Sequence, residues 1–154
     1  MSDGAPQTSV QDIRARLIGA WRLLSLHETL TDGEVVYSLG EDAQGQLLYS
    51  AEGRMSAQLM RAKTHRFAND DMREATPEER ASAWLDYFGY FGTYSIDAER
   101  NAVTHHVEGS SFPNLNGSKQ VRSFRFEGER LVLDADTSWG KVQAVWQKIA
   151  PQNS

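Results

Sequence analysis

From about residue 20 to residue 148 the chain alternates apolar and polar side chains in short runs, and turn-forming residues separate the runs. Alternation with a period of two is the pattern of a strand that buries one face. Nine runs qualify: 20–28, 34–38, 45–50, 54–60, 90–97, 102–110, 118–126, 130–136 and 140–148. Their separators include Thr31-Asp32-Gly33, Ala51-Glu52-Gly53, Asn116-Gly117, Glu127-Gly128-Glu129 and Ser138-Trp139-Gly140. Gly and Asn at these places suit the positive φ of tight hairpins. Short and regular spacing predicts an antiparallel up-and-down meander, because parallel strands need crossovers of about a dozen residues or more.

Two segments follow a helical period instead. Ser9-Val10-Gln11-Asp12 has the spacing of a helix start, and Val10, Ile13, Leu17 and Ile18 recur at helical intervals, so a short helix is expected up to about Leu17, with Gly19 ending it. The second helix is expected over 77–88. Thr76-Pro77-Glu78-Glu79 supplies an N-cap, a first-turn proline and a capping glutamate, and Ala81, Trp84, Leu85 and Phe88 form one stripe that must pack on the sheet or over an open barrel mouth. Residues 61–75 before it read as a long loop, either a lid or a solvated connector. Residues 1–8 read as a disordered leader, and 9–150 as one domain.

Gly19-Ala20-Trp21 stands where the helix gives way to the first strand. An indole there can plug the closed end of a barrel, and a glycine lets the chain turn without a Cβ in the way. The plainer reading is an ordinary core tryptophan. Strand parity then sorts the interior. Trp21, Leu23, Ser25 and His27 share one face of the first strand, Met55, Ala57 and Leu59 one face of the fourth, and Val103, His105 and Val107 one face of the sixth. Gln120, Arg122, Phe124 and Phe126 share a face of the seventh, followed by Leu131 and Leu133, then Ala144 and Trp146. An inward Arg122 is costly unless paired, so it either reaches a wet rim or meets an acid or carbonyl group of a ligand. If the last strand closes on the first, Lys148 falls beside Trp21, where a cation over the indole is worth about 0.5–2 kcal/mol.

Bulk properties remove several alternatives. The 154 residues carry a net charge of −5, 40% hydrophobic and 24% charged residues, and no cysteine. There is no basic stripe for nucleic acid, and no apolar run approaches the roughly 20 residues of a membrane span. Disulfides and thiolate chemistry are excluded. The polar Met1–Thr8 stretch lacks a signal-peptide core, so a cytoplasmic location is expected.

His105-His106-Val107-Glu108 is the densest polar cluster on an expected strand. Adjacent strand residues face opposite ways, so the two histidines do not share a metal, and no metal site is expected. His106 and Glu108 do share a face, about 7 Å apart at a rise of about 3.3 Å per residue, as an acid–base pair or as a solvated pair. The loop 110–118 can add ligand contacts at a rim. No phosphate loop, dinucleotide fingerprint or nucleophile elbow occurs, and no cofactor is expected.

With these residues in view, the chain resembles the bacterial and fungal lipocalin-like domain family from about Leu17 to Ile149. The resemblance rests on residues 17–23, on Gly53-Arg54-Met55-Ser56-Ala57-Gln58-Leu59-Met60-Arg61, on Tyr90-Phe91-Gly92-Thr93-Tyr94, on 104–110 with Pro113-Asn114, on Gln120-Val121-Arg122 and on Arg130-Leu131-Val132-Leu133. It implies a lipocalin-like barrel of about eight or nine strands with a Gly-x-Trp plug. It also gives weight to Arg54, Gln58, His106 and Glu108 as site residues, although parity turns some of them outward. The expected function is binding of a small, largely apolar organic molecule in the barrel, through Ser25, His27, Arg54, Met55, Gln58, Tyr94, His105, His106, Gln120, Arg122 and Phe124. The rival expectation is a cofactor-free isomerase or cyclase acting on an unsaturated or carbonyl substrate in the same barrel, with His105 or His106 as acid–base group, Glu108 as its orienter and Arg122 as oxyanion or carboxylate anchor. A small molecule is the expected partner, without nucleic acid or membrane, and a homodimer is left open.

Overall fold

A computed structural model describes residues 5–152, and in it the alternating runs pair in chain order. The strands are β1 (Gly19–Leu30), β2 (Val35–Val36), β3 (Gln44–Tyr49), β4 (Arg54–Met60), β5 (Tyr87–Asp97), β6 (Ala102–Ser110), β7 (Lys119–Glu127), β8 (Arg130–Thr137) and β9 (Gly140–Lys148). Helix α1 covers Ala5–Leu17 and α2 covers Pro77–Leu85. Every pairing is antiparallel, and β9 returns to β1 from Trp21↔Lys148 to Leu30↔Gly140. The meander therefore closes into an eight-stranded barrel, with β2 a two-residue spur on β1. Closure leaves no long unpaired edge among the described residues.

The end of the barrel below Gly19 is shut. Helix α1 starts at Ala5, earlier than the Ser9 start read from the sequence and inside the stretch read as a leader, whose residues 1–4 lie outside the described residues. It carries Ile13 and Leu17 into the core. Trp21 is 2% exposed and its Nε1 donates to the Leu17 carbonyl at 2.9 Å. Lys148 lies opposite Trp21 with Nζ 4.5 Å from the indole centroid, and it donates to the carbonyls of Arg16 and Ile18. The plug and its cation stand as the sequence predicts. Gly19 has φ +129°, a conformation L side chains rarely adopt, so the turn calls for glycine; a Cβ there would also crowd Lys148 Nζ at 2.9 Å, which the flexible lysine relieves by shifting.

Two irregularities decide which side chains face inward. In β1 the pairing with β9 slips between Leu23 and Ser25, so Leu23 faces Trp146 but Ser25 faces Val145 and Leu26 faces Ala144. Paired residues share a face, and one extra residue reverses parity. Leu26 and Glu28 thus continue the inner face. Ser25 and His27 turn outward, against the sequence expectation, and the His27 ring lies 5.8 Å from the Tyr37 ring. In β6 the extra residue is Glu108, between Val107↔Gly92 and Gly109↔Phe91. A Cβ on Gly92 would collide with the His106 carbonyl oxygen, so the bulge requires glycine there.

The second helix departs from its expected packing. Thr76 caps it in a full capping box with Glu79, and Pro77 opens it. It ends at Leu85, because the β4–β5 ladder captures the chain from Tyr87 onward and Arg61 holds Asp86 at 3.1 Å. The stripe is divided: Phe88 joins β5 and packs on the core, while Trp84 and Leu85 remain 51% and 67% exposed. Glu79 also accepts from the Ala68 amide at 3.0 Å, pinning the 61–75 loop to α2 at the open end. No described helix is long and apolar enough to cross a membrane.

Candidate functional site

The inner face is apolar from the floor upward: Trp21, Leu23, Leu47, Met55, Ala57, Leu59, Val103, Val107, Phe124, Leu131, Leu133 and Trp146 are all buried. On the same inner register, however, Leu26, Arg122 and Ala144 along the middle of their strands and Gln120 near the start of β7 keep partial exposure. The strands are paired all round and α1 blocks the floor, so solvent reaches these residues through the mouth. The lumen is therefore open at that end.

A polar cluster sits within this apolar wall. His105 is 1% exposed, with Nε2 2.6 Å from the Tyr49 hydroxyl and Nδ1 2.7 Å from the Tyr90 hydroxyl. Its elements explain the convergence: Tyr49 ends β3, Tyr90 and Tyr94 lie on β5, and His105 pairs with Tyr94 and Gln120 across β6. Burial pushes the imidazole pKa down to about 3, and the charges of Arg122 and His106 push the same way. Burial raises both phenols. Arg122 opposes the rise at each by its charge and, at Tyr90, also by hydrogen bonding toward the phenol oxygen. All three groups are thus neutral around pH 7. Tyr94 packs edge-on against Tyr49 at 4.8 Å and donates to the Ser50 carbonyl at 2.8 Å. Gln120 Nε2 donates to Ser118 Oγ at 2.8 Å. Arg122 makes a 3.3 Å contact to the Val121 carbonyl and has no carboxylate partner among the described residues. The Trp146 indole N–H is buried and meets no acceptor.

Of the residues singled out from the sequence, the lumen gathers Met55, Tyr94, His105, Gln120, Arg122 and Phe124. The sheet separates the others from them. Arg54 and Glu108 form a half-exposed ion pair on the outer face, at 2.8 and 3.2 Å. His106 Nε2 lies 2.9 Å from Ser95 Oγ, so His106 and Glu108 are engaged with different neighbours and do not form a dyad. Gln58 accepts from the Tyr87 hydroxyl at 2.7 Å on the outer side, and Ser25 and His27 are outside as well. Sequence reasoning missed Tyr49 and Tyr90. Parity from Leu47 leads to Tyr49, and parity from Tyr94 leads to Tyr90, so both were within reach of the alternation. No three His, Asp or Glu side chains of the described residues converge as a metal site.

These features define a class: a closed antiparallel barrel with one plugged end, one open end and a mostly apolar interior. The chain belongs to the lipocalin-like domain family, whose model matches residues 18–150. A relative from Aspergillus oryzae, a 4'-hydroxy-3'-methoxypropiophenone carrier protein, is 34% identical over 85 residues, covering 51% of this chain and 77% of that protein. Among solved structures, a redesigned beta barrel is 13% identical with a TM-score of 0.46, covering 89% of this chain and 95% of its own. Fatty-acid-binding protein 1 of Echinococcus granulosus is 11% identical with a TM-score of 0.43, over 88% and 99% of the two chains.

Proposed function

We propose that this protein binds a small, largely apolar organic molecule in the barrel lumen. The observation that carries the reading is the partial exposure of Leu26 and Ala144, inward apolar residues at mid-barrel in a wall otherwise largely buried. An apolar cavity with a few placed polar groups is the usual make-up of a small-molecule site. The name of the fungal relative specifies a ligand of this kind, an aryl ketone with a phenol and a methoxy group. A cysteine-free chain fits a cytoplasmic carrier.

The enzymatic alternative finds less support. A general base works best with a pKa near the operating pH. His105 is held near 3 and is hydrogen-bonded at both ring nitrogens. His106 and Glu108 lie outside the lumen and apart in their contacts.

Titration with the neutral fluorophore N-phenyl-1-naphthylamine tests the binding reading. Saturation at about one per chain is expected, and Ala144→Trp, which fills the lumen, should weaken it at least about tenfold with the fold retained by circular dichroism. Weak binding at many sites, indifferent to Ala144→Trp, would reject the lumen as the site.

A further inference from the structure

The polar groups of the lumen do not balance. Tyr49, His105 and Tyr90 form a chain with two hydrogen bonds. A neutral imidazole carries one N–H, so the chain holds three hydrogens, two phenolic and one on the ring. Each hydrogen bond consumes one. One phenol donates to the bare ring nitrogen and the other accepts the ring N–H. That second phenol keeps a hydrogen that the chain cannot use, whichever tautomer the ring adopts.

Two further donors stand on the same inner wall. The Trp146 indole N–H, on a residue 2% exposed, has no acceptor. Arg122 carries a full charge that no carboxylate of the described residues meets; its hydrogen bond is to the preceding carbonyl at 3.3 Å. Glu28, in inner-face register on β1, turns its carboxylate to the Trp139 indole N–H instead. The buried Trp146 donor is costly to leave unpaired, and Arg122, though solvent reaches it, has no counter-charge; a molecule entering the lumen with acceptors and negative charge would meet both needs. Arg122 pairs with Val103 on the β6–β7 ladder, two residues along from the His105↔Gln120 pair and on the same face, so it stands beside the chain, and its charge acts to lower the pKa of Tyr49, Tyr90 and His105.

Resting on the reading of the lumen as a ligand site, we propose that Arg122 and the spare phenol hydrogen of the Tyr49–His105–Tyr90 chain form an anion-reading subsite. Its ligand is an apolar organic molecule with one ionised acid group, of carboxylate or sulfonate type. The acid oxygen accepts from Arg122 and from whichever phenol is left over. His105 acts as a positioning residue, because its single N–H decides that one phenol always has a hydrogen to give.

Two probes with one ring system separate this subsite from the lumen itself. N-phenyl-1-naphthylamine is neutral, and 1-anilinonaphthalene-8-sulfonate adds an anionic group to the same body. With the full chain, the anionic probe should bind more tightly than the neutral one, at about one per chain. Arg122→Met should weaken the anionic probe roughly ten- to hundredfold, as expected for a charge-assisted hydrogen bond, and leave the neutral probe within about twofold. Arg122→Lys should restore part of the loss. Tyr49→Phe and Tyr90→Phe should each weaken the anionic probe by less, about fivefold, again sparing the neutral one. If either tyrosine variant fails to fold, the Arg122 pair decides the matter alone. A neutral probe that binds once per chain, with no anionic preference and no response to Arg122→Met, would overturn the subsite and leave the lumen reading in place. If neither probe binds at a single site, both are overturned.

Discussion

Trp21 and Trp84 make the same hydrogen bond in opposite surroundings. Each indole N–H donates to a backbone carbonyl, Trp21 to Leu17 at 2.9 Å and Trp84 to Ser111 at 2.7 Å. Trp21 is buried at the floor, beneath α1 and Lys148, and Trp84 is half-exposed at the mouth, where its aromatic neighbour is the exposed Phe112. The bond is alike, so the difference between the two ends lies in apolar burial. The floor commits its aromatic surface to the core and its lysine to the carbonyls of Arg16 and Ile18, where α1 ends. The mouth leaves Trp84, Leu85, Phe112 and Trp139 largely unpacked, with the indoles of Trp84 and Trp139 each making one hydrogen bond. Segments with few buried contacts open at low free energy, as a route into the lumen requires.

The largest expected effect is at the floor. Trp21→Ala removes a fully packed indole and should cost about 3–5 kcal/mol in chemical denaturation, with no selective loss of ligand affinity in the protein that folds. Wild-type stability in this variant would break the contrast between the two ends.

The next effect depends on pH and lies between the ends, at His105. Its pKa is about 3 in the folded chain against 6.5 for an unperturbed histidine. The unfolded state takes up the proton first as pH falls, so stability is complete above about 6.5 and declines toward pH 3. The slope from this group is at most about 1.4 kcal/mol per pH unit. Urea midpoints of wild type and His105→Gln across this window should converge as pH falls, because the variant lacks the titrating ring. Parallel curves would show that the imidazole is not held neutral.

Smaller still is Lys148→Met, which loses a cation over Trp21 and donors to two carbonyls, for about 1–2 kcal/mol. An unchanged stability would assign the closure of the floor to Trp21 and α1 alone. Smallest is Trp84→Ala at the mouth, expected within about 0.5 kcal/mol of wild type. Its effect should fall instead on the exchange rate of a lumen probe in stopped-flow fluorescence. A loss as large as that of Trp21→Ala would make the mouth a structural element and erase the comparison.

Much of this architecture is legible in the order of the residues. The period-two alternation and its Gly-rich separators locate every barrel strand, with β4, β6 and β9 placed to the residue. The Gly19–Trp21 plug and the facing Lys148 follow from parity and closure. The capping box of Thr76 and Glu79 marks the start of α2 because it is a local device, complete within four residues. These features depend on neighbours in the chain, and a sequence records such neighbours directly.

What the sequence could not decide was the relation between faces. A single extra residue in β1 sends Ser25 and His27 outside, and nothing in Leu23-Leu24-Ser25 announces it, since the slip is set by pairing with β9. The run from His105 to Glu108 looks like one constellation along the chain, but the sheet divides it into a buried imidazole and an outer-face histidine and carboxylate. The partners of His105 come from β3 and β5, 56 and 15 positions away, and only barrel closure brings them to its two ring nitrogens. Local periodicity is written in the order of residues. Which donors end up without an acceptor is a property of the closed barrel, because hydrogen-bond balance inside a lumen is a sum over strands that meet only when the fold is complete.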